Sequence, residues 1–286
     1  MTERSTTTPA LDAELARDEL DRRNEEFWDE LCGTAFARSL GLVGRDRETL
    51  EAFDNAYFAF YPYLLSYADR YELAGHRVLE VGLGYGSLGE ALARRGADYY
   101  GLDIAAGPVR MMQHRLEMLG QGAPDQVRQG SALAMPYADA TFDFVYAIGV
   151  LHHTGDLRTS IGEVWRVLVP GGRAVVMVYH AGSWRQWRQV RFRRAWARSR
   201  GRTGPSGIDV AQLYDSNSSG TVAPHTDYVS RRDVADLFGH FTTAEVRARN
   251  FDDLRIMRRR VIRRHRILGS WLEARLGLDL YIVATR

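Results

Sequence analysis

A glycine-rich turn at residues 82–86 constrains the fold of this chain more than any other feature. It follows an apolar segment, 77–81, which reads as a buried strand and contains the acidic residue Glu80. Its glycines can adopt positive φ and let a ligand approach the backbone without hindrance from a Cβ atom. An amphipathic helical pattern begins directly after the turn, over 87–95. A strand, a glycine turn and a helix in this order predict the first unit of a nucleotide-binding fold.

A second acid lies about twenty residues beyond the turn, the distance at which a βαβ unit brings a carboxylate to a ribose. The short strand pattern 99–103 ends at this residue, Asp103. The turn itself has Glu80 before it and Glu90 after it, with no cation until Arg94. Such a turn would repel a diphosphate, which prefers helix amides and basic side chains, but it tolerates a cationic ligand. The pattern therefore favours a positively charged nucleoside over a dinucleotide.

Strand and helix patterns alternate from residue 77 onward, which predicts an α/β fold with a doubly wound, mainly parallel sheet. The predicted strands are 77–81, 98–103, 126–130, 143–148, 173–179, 243–249 and 278–284. The predicted helices are 87–95, 107–119, 158–168 and 230–238, the last capped by Ser230.

The remaining segments extend this core. We predict four parts: a disordered tail and N-terminal helical cap (1–71, with the tail at 1–10), a core (72–180), an insertion lying over the strand ends as a substrate lid (181–229), and a C-terminal part that completes the sheet (230–286). No internal repeat is visible.

Composition excludes several chemistries. All basic residues are arginine, so no lysine can act as a base or a Schiff-base nucleophile. The single cysteine, Cys32, excludes an internal disulfide and a cysteine zinc cluster, and we predict no metal. No apolar run reaches the roughly 18 residues of a membrane helix, and the acidic N-terminus lacks a secretory pattern. We therefore expect a soluble, cytoplasmic protein.

Arginines are concentrated near the C-terminus, where residues 253–276 read as an amphipathic basic helix. This helix could be a solvated face of a chain rich in arginine, or it could attract an acidic substrate, a carrier protein, nucleic acid or an anionic membrane surface. Nucleic acid is disfavoured because no RNA-binding module is recognisable.

Four sequence blocks together resemble the class I S-adenosylmethionine-dependent methyltransferases, specifically the ubiquinone/menaquinone-biosynthesis-like group. The resemblance covers about residues 75–180, and the blocks are 79–86, 101–104, 130–145 and 150–172. It implies a seven-stranded mixed, Rossmann-like sheet whose final hairpin includes the one antiparallel strand. It also implies S-adenosylmethionine as the cofactor.

The resemblance assigns cofactor roles residue by residue. It implies that Gly82, Leu83 and Gly84 line the methionine moiety, with Glu80 near its ammonium group. Asp103 would accept the ribose hydroxyls, and Ile104 would pack on adenine. Ser131 and Ala132 would meet the adenine edge, and Ile148 and Gly149 would form the floor beneath the sulfonium. Independently of the resemblance, Tyr85 could contact cofactor or substrate, with packing as the alternative. The family usually has Asp where this chain has Ser131, so the adenine amine would meet a weaker, neutral partner here.

Methyl transfer depends mainly on proximity and alignment, and it needs a base where the acceptor must lose a proton. The candidate bases are His153, His180 and His225, each with a structural role as the alternative. Tyr57 or Tyr61 could close over the cofactor. We predict methyl transfer to oxygen or nitrogen of a small molecule in specialised-metabolite biosynthesis, with an acidic acceptor and the oligomeric state left open. The alternatives are carbon methylation of a quinone-like or lipid ring, and a regulatory protein that binds the cofactor without turnover.

Overall fold

The computed structural model describes residues 9–30, 34–122, 124–188, 193–201, 215–217, 219–256 and 260–286. Within these ranges the helices are α1 (Pro9–Trp28), α2 (Thr34–Ser39), α3 (Arg47–Phe60), α4 (Leu65–Ala68), α5 (Ser87–Ala93), α6 (Ala106–Leu119), α7 (Leu157–Val167), α8 (Arg193–Ser199), α9 (Arg231–Leu237) and α10 (Trp271–Leu276). The strands are β1 (Arg77–Val81), β2 (Asp98–Asp103), β3 (Val127–Gln129), β4 (Phe142–Ile148), β5 (Leu168–Tyr179), β6 (Thr243–Arg249), β7 (Leu254–Ile256), β8 (Arg260–Ile262) and β9 (Asp279–Thr285). No helix within the described ranges is both long and apolar enough to cross a bilayer.

Seven strands form one sheet in the order β3-β2-β1-β4-β5-β9-β6. Strands β1 to β5 pair in parallel, whereas β9 lies antiparallel between β5 and β6. This arrangement confirms the predicted fold class, an α/β doubly wound, seven-stranded mixed sheet. The chain order reverses beside β1, so β1, β2 and β4 meet where open parallel sheets usually bind ligands, at their carboxyl ends.

Two apolar layers cover the faces of the sheet. Successive side chains of a strand point to opposite faces, so Val78 joins one layer and Leu79 the other. The same alternation places Val145 with Leu79, and Tyr146 with Val78. Buried on both faces, these strands read in the sequence as nearly continuous apolar runs.

Residues 253–276 do not form the single Arg-rich helix that the sequence pattern predicted. They contain the β7–β8 hairpin, a 3₁₀ turn and α10. Gly269 has a φ of +81°, and Ser270 caps α10 by accepting a hydrogen bond from the Glu273 amide at 3.4 Å. The helical interpretation counted apolar residues at spacings of three and four and passed over this Gly-Ser break. The suggested membrane contact required a single basic helix at 253–276, so the structure does not support it.

The insertion predicted at 181–229 is described in part and includes α8. Its later residues return to the strand ends: the Asp227 amide donates to the His152 carbonyl at 2.8 Å, and the Val229 amide donates to the Tyr179 carbonyl at 2.8 Å. The predictions for 1–8, 189–192, 202–214 and 218 lie outside the described residues.

A buried arginine joins the N-terminal cap to the core. Arg115 of α6 has no exposed side-chain surface, and its guanidinium donates to Asp54 of α3 at 2.8 Å and to Glu90 of α5 at 2.6 Å. Its Nε donates to the Tyr85 carbonyl, in the glycine turn, at 2.7 Å. The Ser87 hydroxyl also donates to Asp54, at 2.5 Å. One side chain therefore holds the glycine turn against the cap.

Replacing Arg115 with methionine is expected to lower the free energy of unfolding by about 3–5 kcal/mol, because it removes the buried cation that Asp54 and Glu90 share. The matched control is Arg94→Met, since Arg94 also bonds Glu90, at 2.7 Å, but keeps 46% of its side chain exposed. Because the Arg94 guanidinium is solvated, this ion pair should contribute about 1 kcal/mol or less. Urea unfolding of both variants provides the measurement, and equal losses would contradict the role given to Arg115.

Candidate active site

A cavity of about 350 Å³ opens at the carboxyl ends of β1, β2, β4 and β5. The glycine turn forms one wall, with φ values of +81°, +49° and +77° at Gly82, Gly84 and Gly86. A Cβ atom on Gly82 would lie only 1.9 Å from a Val150 methyl carbon. The positive φ values expected from the sequence are therefore present, and a side chain at 82 would have no room.

Asp103 lies at the end of β2 and lines the cavity. Its Oδ2 accepts a hydrogen bond from the Leu83 amide at 2.7 Å, and its Oδ1 accepts one from the Ala105 amide at 2.9 Å. These bonds fix the carboxylate and leave it further lone pairs for hydroxyl donors. Burial raises the pKa of Asp103 to about 6, so the group is ionised at neutral pH.

Glu80 is the second buried acid beside the turn. Its Oε2 accepts a hydrogen bond from the Tyr99 hydroxyl at 2.6 Å. Burial raises the pKa of Glu80 to about 8, against the opposing effect of the Tyr99 hydrogen bond. The ligand-free protein therefore holds a largely protonated Glu80 at pH 7, and a nearby cation would favour its ionised form.

This pKa predicts a pH dependence of stability. Between about pH 4.5 and 8 the folded chain binds more protons at Glu80 than the unfolded chain does. This group's stabilisation is complete at low pH and is lost as the pH rises, by at most about 1.4 kcal/mol per unit. Urea unfolding of Glu80→Gln from pH 5 to 8.5 should therefore show a smaller loss of stability than the wild-type protein shows. Glu117→Gln, on an exposed position of α6, should run parallel to the wild type; a parallel Glu80→Gln curve would refute the assignment.

All the residues expected to bind the cofactor line this one cavity: Glu80, Gly82, Leu83, Gly84, Tyr85, Asp103, Ile104, Ser131, Ala132, Ile148 and Gly149. Gly149 has a φ of +78°, and a Cβ on it would lie 3.4 Å from the Met177 terminal methyl group. The structure brings the residues together, and their individual roles stay predictions.

Of the candidate bases, only His153 lines the cavity among the described residues. His180 instead makes a 2.9 Å hydrogen bond between its Nδ1 and the Gly277 carbonyl, and His225 places its Nε2 3.1 Å from Asp227. Both stand away from the cavity, since the chain turns after β5 and directs His180 toward Gly277. The sequence predicted their positions at strand ends but not their orientation.

His153 is held in one tautomer by the insertion. Its Nδ1 lies 2.7 Å from the His225 carbonyl oxygen, which can only accept a hydrogen bond, so Nδ1 carries the proton. The other nitrogen, Nε2, lies 3.5 Å from the Asp215 carboxylate. Burial lowers the pKa of His153, and Asp215 opposes that effect. The ring is therefore neutral at pH 7, and Nε2, a buried atom without a hydrogen-bond partner among the described residues, carries the lone pair.

The cavity wall near His153 contains groups that the sequence did not assign to a site. Asp215 accepts a hydrogen bond from the Tyr179 hydroxyl at 2.8 Å. Helix α1 contributes Asp21, Asn24 and Trp28, and the Trp28 ring lies 4.9 Å from the ring of His153. Their signal in the sequence is faint, because they come from a surface helix and an insertion far from the motif.

Aromatic side chains form a further part of the wall. The residues are Phe36, Phe53, Tyr57, Phe60, Tyr61, Tyr85 and Tyr281. The Phe53 and Tyr85 rings stack with centroids 4.1 Å apart. Tyr57 and Tyr61, suggested by the sequence as groups that could close over the cofactor, are both among them.

The charge of the cavity is one-sided. Its carboxyl groups are Asp21, Glu80, Asp103 and Asp215, and no arginine is found in the described lining. A positively charged adenosyl ligand fits this set, and a diphosphate does not. The same residues offer nothing that would attract an acidic acceptor.

The fold is that of the class I S-adenosylmethionine-dependent methyltransferases. Residues 79–176 match the family model described as a methyltransferase domain. S-adenosylmethionine is accordingly the cofactor of the domain. The residues present fit it, because the turn at Gly82 leaves room for a ligand and the buried acids match its charge.

Curated relatives resemble the chain over the same segment. A ubiquinone biosynthesis O-methyltransferase of Pseudomonas fluorescens is 37% identical over 106 residues, which cover 37% of this chain and 45% of that protein. Methyltransferase GfsG of Streptomyces halstedii is 36% identical over 106 residues, covering 36% and 37% of the two chains. A 24-methylenesterol C-methyltransferase of Oryza sativa is 37% identical over 99 residues, covering 34% and 27%. The matches thus span less than half of each relative.

Solved structures share the fold over more of the chain. The methyltransferase in a complex with the Haloferax volcanii Trm112 activator aligns with a TM-score of 0.53 and 16% identity, covering 84% of this chain and 95% of that one. An S-adenosylmethionine-dependent methyltransferase from Thermotoga maritima aligns with a TM-score of 0.50 and 18% identity, covering 82% and 97%. At these identities the likeness is one of fold.

Proposed function

We propose that this protein transfers the methyl group of S-adenosylmethionine to an oxygen or nitrogen atom of an uncharged, largely apolar small molecule in specialised-metabolite biosynthesis. The observation that carries the proposal is that one cavity is lined both by the glycine turn with Asp103 and by His153 with Asp215. When bound, the cofactor supplies an electrophilic methyl group on a positively charged sulfur.

The residues of the cavity supply the rest of the chemistry. The aromatic wall excludes water and holds the acceptor, and fixing two reactants in line lowers the barrier by up to about 7–11 kcal/mol. His153 takes the proton of the acceptor on Nε2, and the Asp215 carboxylate stabilises the imidazolium that forms. A neutral resting state suits this role, because a histidine that is already protonated cannot accept the proton.

An uncharged acceptor is supported by the sign of the lining. An anionic acceptor would be placed beside Asp215 with no arginine among the described lining residues to balance it. The aromatic side chains favour a flat or apolar body with a hydroxyl or amine group directed toward His153.

Carbon methylation is the second candidate, and the same aromatic wall favours it, since aromatic faces and carboxylates stabilise cationic intermediates of a ring or alkene. The two candidates differ in the product. An N- or O-methylated product keeps the carbon skeleton of the acceptor, whereas carbon methylation extends it.

The test is methyl transfer by the purified full chain. Tritiated S-adenosylmethionine is supplied with panels of neutral phenols, hydroxyquinones, amines and sterols, and the products are identified by mass spectrometry and NMR. We expect O- or N-methylated products from the neutral phenols or amines. Tight binding of S-adenosylhomocysteine without transfer to any panel would favour a regulatory protein, and carbon-methylated products would favour the second candidate.

A further inference from the structure

Ser131 does not stand alone at its place in the cavity. Asp21 of α1 lines the cavity beside it, and the Ser131 hydroxyl donates a hydrogen bond to the Asp21 carboxylate. The Ser131 oxygen in turn accepts a hydrogen bond from the Leu133 amide at 3.2 Å. Ser131 thus uses its one donor on Asp21 and one of its two lone pairs on the Leu133 amide, whereas the carboxylate has about four lone pairs and accepts more than one donor.

Helix α1 is fixed at this place by contacts on both sides of Asp21. Asn24, whose side chain is buried, donates from Nδ2 to the His153 carbonyl at 3.0 Å. Gln129 of β3 donates from Nε2 to Glu25 at 2.9 Å and to the Ile104 carbonyl at 3.0 Å. The helix is thus attached to the 3₁₀ turn after β4 through Asn24 and to the edge of the sheet near Ile104 through Glu25, so Asp21 has a defined position over the cavity.

The neighbours of Asp21 indicate what it faces. Ile104 follows Asp103 directly, and Ile104, Pro108 and Ala132 offer apolar surface to a flat base once Asp103 holds the ribose. A carboxylate beside an adenine bound on this apolar surface can accept a hydrogen bond from the exocyclic amine of the adenine. Burial raises the pKa of Asp21, and the Ser131 donor opposes that effect.

We propose that Asp21, from the N-terminal helix, accepts the hydrogen bond of the adenine amine, and that Ser131 positions its carboxylate. The inference rests on the proposed function, since it takes the adenosyl cofactor as the ligand. In this arrangement α1 is part of the cofactor site. Its Asp21 supplies the carboxylate that position 131 lacks.

The experiment compares two ligands on each protein by isothermal titration calorimetry. One ligand is S-adenosylhomocysteine, and the other is its deamino analogue, which carries purine in place of adenine. The wild-type protein should prefer the amino ligand by about 10- to 100-fold, the effect of one hydrogen bond to a charged acceptor. In Asp21→Leu the preference should disappear. General damage to the site weakens both ligands alike and leaves the ratio unchanged, so the ratio reports the amine contact alone.

Two further variants separate direct contact from positioning. Asp18→Leu alters an exposed acid one turn earlier on the same helix and should keep the wild-type preference. Ser131→Ala should keep most of it, because the carboxylate remains. The proposal is overturned if Asp21→Leu retains the preference, or if the wild-type protein binds both ligands equally. Failure of the wild-type protein to bind either ligand would overturn the cofactor assignment as well. This outcome therefore differs from a failure of the Asp21 proposal alone.

Discussion

Replacing Asp103 with alanine is expected to weaken the binding of S-adenosylhomocysteine by at least about 100-fold, the largest effect on binding that we expect of any single change here. The reason is that a carboxylate accepting two ribose hydroxyls makes two charge-assisted hydrogen bonds, each contributing about 1.5–3 kcal/mol. The sum corresponds to about two or more decades in the dissociation constant. Calorimetric titration at pH 7.5, above the pKa of about 6, keeps the wild-type group ionised.

Asp103 also holds the Leu83 and Ala105 amides, so loss of binding could reflect a displaced turn. Asp103→Asn tests this, because its amide keeps the shape and one acceptor oxygen and should lose less affinity. Asp98→Ala, at the other end of β2, removes an acid that bonds Gln126 at 2.7 Å and should bind as the wild type does. Normal binding by a folded Asp103→Ala would show that the ribose assignment is mistaken.

The sheet was predictable from the sequence, and so was the part of the cavity formed by the glycine turn and Asp103. In both cases the sequence signals are local. The boundaries of β1, β2 and β6 agree with the sequence pattern to the residue. A buried parallel strand needs a continuous apolar run, and the turn after β1 needs residues that tolerate positive φ. These requirements act within a dozen residues, so one sequence is enough to show them.

The part of the cavity around His153 could not be predicted in the same way. Asp21 and Asp215 reach the cavity from a surface helix and an insertion, and Asn24 contacts His153 across 129 positions of sequence. Such contacts are set by tertiary folding, and the residues themselves resemble any solvated acid or amide. The sequence predicted an insertion at 181–229, but not which of its side chains would line the cavity.

The burial of Arg115 follows from the helical periodicity of the sequence, but the abundance of arginine made it hard to recognise. Arg115 lies four positions after Met111 and three after Met112, on the buried face of α6, where helical periodicity expects an apolar residue. A cation there must have partners. In a chain whose basic residues are all arginine, this one looked like the rest. The error at 253–276 has the same origin, because abundant arginines made a hairpin and a short helix resemble one basic helix.

Replacing His153 with glutamine is expected to lower kcat by about 10²- to 10⁴-fold for an acceptor that must lose its proton, the usual contribution of a general base. The affinity for S-adenosylhomocysteine should change by less than about threefold, because His153 contacts the acceptor side and not the assigned ribose or adenine groups. The measurement is single-turnover methyl transfer with the acceptor found in the product screen, alongside calorimetry.

A pH profile distinguishes a base from a residue that only shapes the wall. Methyl transfer by the wild-type protein should rise with pH through the pKa of His153, which burial holds below its usual range near 6.5, and then level off. His153→Gln should lose this rise of the rate with pH, the acid limb of the profile. Asp215→Asn should shift the limb to lower pH, because the carboxylate that favours the imidazolium is gone.

The matched control is His225→Gln. It removes a neighbouring imidazole but keeps the backbone carbonyl that holds the Nδ1 proton of His153, so kcat should fall by less than about threefold, within the scatter of substitutions away from the reacting groups. If His153→Gln keeps both the rate and the acid limb, the acceptor needs no base from this chain, and the transfer rests on proximity alone. An equal loss in His225→Gln would instead place the proton acceptor in the insertion.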